Sequence, residues 1–157
     1  MVEKKKDANK AKVAREISKI WGGLESDQIA TLKEHVEITK YKKGEMIYQC
    51  DETPTDAMCL LTGKVKIFKD GINGKSQIIR VIKPNEFFGF RAYFANEIYK
   101  TAAQALDTCT VVHFPLPVLM KLLQTRVAKR FQTTLFLAIP HRDVIFQPLL
   151  KKLTKLW

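Results

Sequence analysis

The chain has 157 residues, 46% of them hydrophobic, with three cysteines and a formal net charge of +11. This is the size of one globular domain with an appendage. No apolar run reaches the roughly 20 residues a membrane span needs, and the charged start MVEKKKDANKAK has no apolar segment of a secretory signal.

Cys50, Cys59 and Cys109 form no CxxC pair, so reduced thiols and a cytoplasmic location are expected. The charge is uneven. Residues 16–115 hold 13 Lys/Arg against 13 Asp/Glu, residues 1–15 hold six against two, and residues 116–157 hold eight against one. A neutral body thus carries two basic ends, which suit a polyanion or form solvated faces.

Residues 8–20 alternate Lys and Arg with Ala, Val and Ile and read as a helix, stopped at Trp21-Gly22-Gly23. Ser26 reads as the cap of a second helix, with Asp27 in its first turn and Ile29, Leu32 and Val36 at near-helical spacing. From residue 36 to 115 short β-forming runs are cut by turn residues: VEITKY, EMIY, AMCLL, KVKIFK, SQIIRVI, EFFG, YKTAAQA and TVVHF. About eight short strands at a spacing of roughly 8–12 residues predict a sandwich or jelly roll. KDGINGKS reads as a hairpin loop, with Gly71 and Gly74 free to take positive φ.

After Pro115-Leu116-Pro117 the period turns helical. Leu119, Leu123, Val127, Phe131 and Leu135 recur every four residues until Pro140. The rod would be roughly 33 Å long. A long amphipathic helix that leaves a domain often pairs with its twin, so a homodimer through these five residues is expected. The other reading packs the stripe on its own barrel. The layout is a basic arm over 1–20, a jelly roll over 21–116, the long helix over 117–139 and a short basic segment over 140–157.

Several motifs fail on inspection. GINGKS is no Walker A loop, because Lys69 stands where its first Gly belongs. His35, His113 and His141 lack metal-ligand spacing, which sets a metal-dependent cupin enzyme aside. No nucleophile motif stands out, so neither catalytic nor metal residues are assigned and no enzyme is expected.

FFGFRAYFANEIYKTAAQA, residues 87–105, is more suggestive. Gly89 lets a ligand approach the backbone. Arg91 to Ala95 can form one helical turn with outward amides at its start. Tyr99 to Ala105 is expected to return as a strand, bringing Lys100 and Thr101 back to that turn, with small Ala102 and Ala103 leaving room. The result would be a phosphate nest.

The order of two helices, YKKGEMIYQCDE, LLTGKVKIFKDGINGKSQI, IKPNEFFGFRAYFANEIYKTAAQAL, VVHFP and a long helix resembles the cyclic-nucleotide-binding domain of the Crp/Fnr transcription regulators over about residues 20–135. The resemblance implies a mainly β fold with flanking helices. It would be a double-stranded β-helix or jelly-roll barrel followed by a long dimerisation helix, holding a cyclic nucleotide or another small anionic ligand. In cAMP binders of this family the cassette reads like FGE(L/I)…R(S/T)A.

Gly89 and Thr101 match it. Phe90 stands where a Glu accepts the ribose hydroxyl, and Lys100 where an Arg pairs with the cyclic phosphate. The ligand-binding candidates are therefore Gly89, Phe90, Arg91, Ala92, Lys100, Thr101 and Ala102, with weak or absent cAMP binding expected. DNA would be read only by a helix-turn-helix, for which the 17 residues after Pro140 are too short. The alternative is a stand-alone or truncated jelly roll whose basic ends bind nucleic acid or an acidic partner.

Overall fold

The structure is a computed structural model and describes residues 2–20 and 24–123. Its helices are α1 (Val2–Ile20), α2 (Ser26–His35), α3 (Arg91–Ala95) and α4 (Leu116–Leu123). Its strands are β1 (Glu37–Tyr41), β2 (Met46–Tyr48), β3 (Asp56–Thr62), β4 (Val65–Asp70), β5 (Ser76–Ile82), β6 (Phe87–Phe88), β7 (Ala102–Ala105) and β8 (Cys109–Pro115). They form two four-stranded sheets, ordered β1-β8-β3-β6 and β2-β7-β4-β5. That interleaving is a jelly roll, and each β-forming run of the sequence contributes one strand.

Residues 38–113 form one compact unit. The segments 2–20, 24–37 and 114–123 belong to another. In this second unit α1 packs on α2 and α2 on α4. Val13, Ala14 and Ile17 bury one face of α1, while Lys12, Arg15 and Lys19 stay exposed.

The cap of α2 is Glu25, not Ser26 as the sequence suggested. The Glu25 carboxylate accepts the Gln28 amide N–H, and Gln28 Oε1 accepts the Glu25 N–H at 2.9 Å. A reciprocal box needs a returning side chain three residues on. Glu25 finds Gln28 there; Ser26 would find Ile29.

Leu116, Leu119 and Leu122 of α4 are buried within the chain. Of the expected dimer stripe, Leu119 is therefore already covered. The Leu123 side chain, with Val127, Phe131 and Leu135, lies outside the described residues, as do Trp21-Gly22-Gly23, Pro140 and the 140–157 segment. Among the described residues no helix is long and apolar enough to cross a membrane.

The sandwich core is Tyr48, Met58, Leu60, Val65, Ile82, Phe88, Tyr99, Ala103, Ala105, Cys109 and Val111. It draws on both sheets, as period-2 strands facing each other require. Outer strand β5 shows the opposite character, with Ile78, Ile79 and Val81 exposed. In its hairpin Gly74 takes φ +70° but Gly71 does not, because the Gly71 N–H closes the loop onto Lys75 O at 3.0 Å and one left-handed residue suffices.

Gly63, between β3 and β4, is more constrained. At φ +89° an added Cβ would lie 2.6 Å from Cys109 Cβ and 2.6 Å from Thr108 O. Gly44 has the same φ of +89° but nothing within 4 Å. Gly44→Ala should therefore cost only the ~1–2 kcal/mol of a left-handed non-glycine residue, and Gly63→Ala clearly more. Urea unfolding of both variants checks this, and equal losses would contradict it.

Candidate functional site

The segment 87–105 builds one side of the sandwich interior. β6 pairs antiparallel with β3, placing Phe88 opposite Met58. Gly89 follows at φ +79°. Then comes α3, five residues long, too short to gather much of a macrodipole. It ends at Asn96, left-handed at φ 58°, whose N–H reaches the Ala92 and Tyr93 carbonyls.

The returning strand is shorter than the sequence suggested. Lys100 and Thr101 form a bend and β7 begins at Ala102. The reason is where the Tyr99 backbone bonds. Its N–H donates to Glu52 O at 2.9 Å, and its carbonyl accepts the Asp51 N–H at 2.8 Å. Tyr99 is thereby held to the β2–β3 loop instead of a sheet ladder.

The candidate residues separate into two groups. Phe90 is 2% exposed and packs edge-on against Phe94, 6.3 Å between ring centroids. Lys100 is exposed on the bend. Neither is among the residues of the sandwich core cluster. Ala102 is buried in β7, and Ala92 packs against the core. Gly89, Arg91 and Thr101 converge on Tyr48. The Tyr48 hydroxyl shares a hydrogen bond with the Thr101 side chain, and Arg91 acts on it electrostatically. A Cβ on Gly89 would lie 3.6 Å from the Tyr48 ring.

The residues that fill this interior carry no motif. The Tyr99 hydroxyl donates to Gly89 O at 2.7 Å, and its ring stacks on Tyr48 with centroids 3.9 Å apart and 14° between planes. Met58 Cε occupies the place where a Gly89 side chain would stand. Arg80 of β5 acts electrostatically on Arg91. Asp56 shares the strand face of Met58 and Leu60, and His113 that of Cys109 and Val111, by the alternation of β side chains. Their polar ends meet: His113 Nδ1 is 3.6 Å from Asp56 Oδ2, and His113 Nε2 is 3.0 Å from the Tyr41 hydroxyl. Among the described residues no three His, Cys, Asp or Glu groups are placed to hold a metal ion.

Burial sets the electrostatics. It pushes the Tyr99 phenol well above its ordinary value, and Tyr48, Asp56 and Glu52 add to the push. Burial also raises Tyr48, against the opposing pull of Thr101 and Arg91. It lowers Arg91, as does the neighbouring Arg80, while Tyr48 acts the other way. The buried Cys59 thiol is pushed up to about 12 from 9.0.

Acids whose folded pKa is raised lend stability that is whole below the unfolded pKa and lost as pH rises past it. Stability should thus decline from about pH 9 for Cys59 and from pH 10 for Tyr99. Tyr99→Phe should cost about 1–2 kcal/mol by leaving Gly89 O unpaired, and should flatten the decline above pH 10. Urea unfolding across alkaline pH measures both, and a slope equal to wild type would remove Tyr99 as a source.

The chain is similar to several other proteins. The family model for the cyclic nucleotide-binding domain matches residues 38–126. An uncharacterized protein of Haemophilus influenzae is 33% identical over 75 residues, 47% of this chain and 58% of that protein. The structure of DNR from Pseudomonas aeruginosa superposes with a TM-score of 0.63 at 20% identity, covering 85% of this chain and 57% of that one. The catabolite activator protein of Thermus thermophilus gives a TM-score of 0.62 at 17% identity, covering 87% of this chain and 62% of that one. The chain thus spans about three fifths of these relatives, and the structural likenesses establish the fold. With more than half of its residues matched by the family model, the chain belongs to the cyclic nucleotide-binding domain family.

Proposed function

We propose that this chain is the ligand-sensing domain of a Crp/Fnr-type transcriptional regulator, one that keeps the shell of the pocket and has given up its cAMP chemistry. The observation that carries this reading is the filling of the space beside Gly89 by Met58, Tyr48 and Tyr99. Tyr99 is bonded to the Gly89 carbonyl itself. A ribose entering there would have to displace packed side chains. It would then find Phe90, which has no acceptor, in place of a carboxylate. A buried hydroxyl left unpaired costs about 1–3 kcal/mol, one to two decades of affinity. The phosphate would find Lys100 on an exposed bend, without the two-pronged grip of a guanidinium.

The role is binding, not catalysis. A ligand that favours one arrangement of the sandwich would bias the paired helices that follow it, and so the state of whatever those helices carry. Pairing rests on the expected stripe of Leu119, Leu123, Val127, Phe131 and Leu135, of which Leu119 is buried within the chain. The partners are then a second copy of the chain and a small anion, with DNA contacted by a helix-turn-helix module.

Calorimetric titration with cAMP and cGMP should give no saturable heat up to about 1 mM, a threshold worth roughly 4 kcal/mol of binding. A micromolar dissociation constant for either nucleotide would overturn the reading. Light scattering at micromolar concentration should report twice the mass of one chain, and a single-chain mass would remove the dimer.

A further inference from the structure

Among the described residues five large hydrophobic side chains are exposed, and four of them, Ile72, Ile78, Ile79 and Val81, lie on the β4–β5 hairpin. Apolar residues scattered singly over a surface are ordinary, but a group gathered on one element asks for a partner. Among the described residues β5 also ends its sheet, paired with β4 alone. Its other side presents a row of backbone N–H and C=O groups that can template a further strand. Such edges are normally guarded by lysine or proline within the strand. Ser76–Ile82 contains neither.

A bulge, which elsewhere can blunt an edge, here gathers apolar surface. Val81 stands opposite Lys66 and Ile78 opposite Phe68, with the register shifting between Ile67 and Phe68. Lys66 and Phe68 are two apart in β4 and share a face, with Lys66 Nζ 4.8 Å from the Phe68 ring centroid. Cross-strand partners lie on the same face. β5 spends one residue more than β4 over this stretch, so Ile78 and Val81 come to one face although they are three apart in sequence. Ile67, on the other face, packs against the core. Ile78 and Val81 are therefore on the outside of the sandwich.

The charge of the hairpin is one-sided. Residues 64–83 hold six Lys/Arg against one Asp, whereas the rest of residues 16–115 holds seven against twelve. The single acid, Asp70, accepts the Ser76 hydroxyl across the hairpin. Lys64, Lys69, Lys75 and Lys83 are exposed. A basic hairpin with an apolar outer edge thus projects from a body that is otherwise acidic.

We propose that the free edge of β5 receives an extended segment of another protein, rich in alternating acidic and apolar residues, which adds to the sheet as a further strand. Main-chain hydrogen bonds along the edge hold it. Its apolar side chains cover Ile78 and Val81, and its carboxylates meet the lysines around them. A second copy of β5 fits less well, because it sets one basic hairpin against another. A nucleic acid would meet the lysines but leave the isoleucines and the backbone edge uncovered. The edge lies outside the sandwich, so the proposal does not rest on how the pocket is read.

The test is fluorescence anisotropy of the full chain with a labelled peptide of about ten residues, the length of a long strand, alternating glutamate and valine. Three probes accompany it: the same peptide N-methylated at alternate residues, a glutamate–serine repeat of equal charge, and a short duplex DNA. The glutamate–valine peptide should bind saturably, and more weakly as salt rises. N-methylation removes the edge hydrogen bonds and keeps the side chains, and should weaken binding by roughly tenfold or more. Lys75→Glu with Lys83→Glu should cost about tenfold, and Ile78→Thr with Val81→Thr roughly threefold to tenfold. All four positions are exposed, which spares the fold.

Equal binding of the N-methylated or the glutamate–serine peptide overturns strand addition, since charge alone then holds the probe. Wild-type affinity in the lysine variant overturns it as well. So does a silent glutamate–valine peptide, whether or not the duplex DNA binds. A wild-type dimer that Ile78→Thr with Val81→Thr reduces to single chains, read by light scattering, gives the edge to a second copy and overturns the acidic partner.

Discussion

Gly89 turns left-handed at φ +79°, and at that point the interior has room for a hydrogen and nothing larger. Met58 Cε stands in the place of a side chain, with the Tyr99 hydroxyl 3.4 Å and the Tyr48 ring 3.6 Å from it. That close approach lets the Tyr99 hydroxyl reach the Gly89 carbonyl. The Tyr99 backbone in turn grips residues 51 and 52. Three loops and both sheets are thereby fastened around one buried phenol. Its neighbour Tyr48 then has little freedom, being stacked on one side and bonded to Thr101 on the other. The packing that fixes the fold at this point is also what fills the pocket.

On the proposed reading, a family pocket keeps its walls and changes its contents. The strand order, the glycine turn and the short helix after it are all in place, and these are backbone features. What a ligand would feel is a matter of side chains. Phe90 is buried and Lys100 is exposed. Arg91 has Arg80 and Tyr48 as its ionisable neighbours.

Much of the architecture was legible because it is local. Eight β-forming runs between turn residues gave eight strands, and Pro117 fell in the first turn of α4 as its fixed φ favours. The misreadings share one cause, which is that longer-range partners decide between local options. Glu25 displaced Ser26 as a cap because Gln28 could reciprocate. Tyr99 left the strand because its backbone bonds went to Asp51 and Glu52, nearly fifty residues earlier.

The site was legible only in outline, for the same reason. Gly89 and Thr101 announce themselves by their resemblance to the family cassette. Arg80 does not, because on an exposed strand nothing in SQIIRVI says which face looks inward; that depends on its register with Ile67 and, through it, with Ala103 and Tyr48. Met58 looks like any core residue until β6 is set beside β3. Asp56 and His113 are 57 positions apart in sequence and meet only when their strands share a sheet.

β5 touches a single neighbour, β4, and turns Ile78 and Ile79 to water. A strand held along one side opens at a fraction of the free energy of global unfolding, as fraying edges do. Arg80 travels with it. Passage between bulk water and the inner face of the sandwich then needs only the breathing of this hairpin. The rate at which the interior exchanges its contents is thus set at the rim and can be fast, while the lifetime of the fold is set at the centre and can be long.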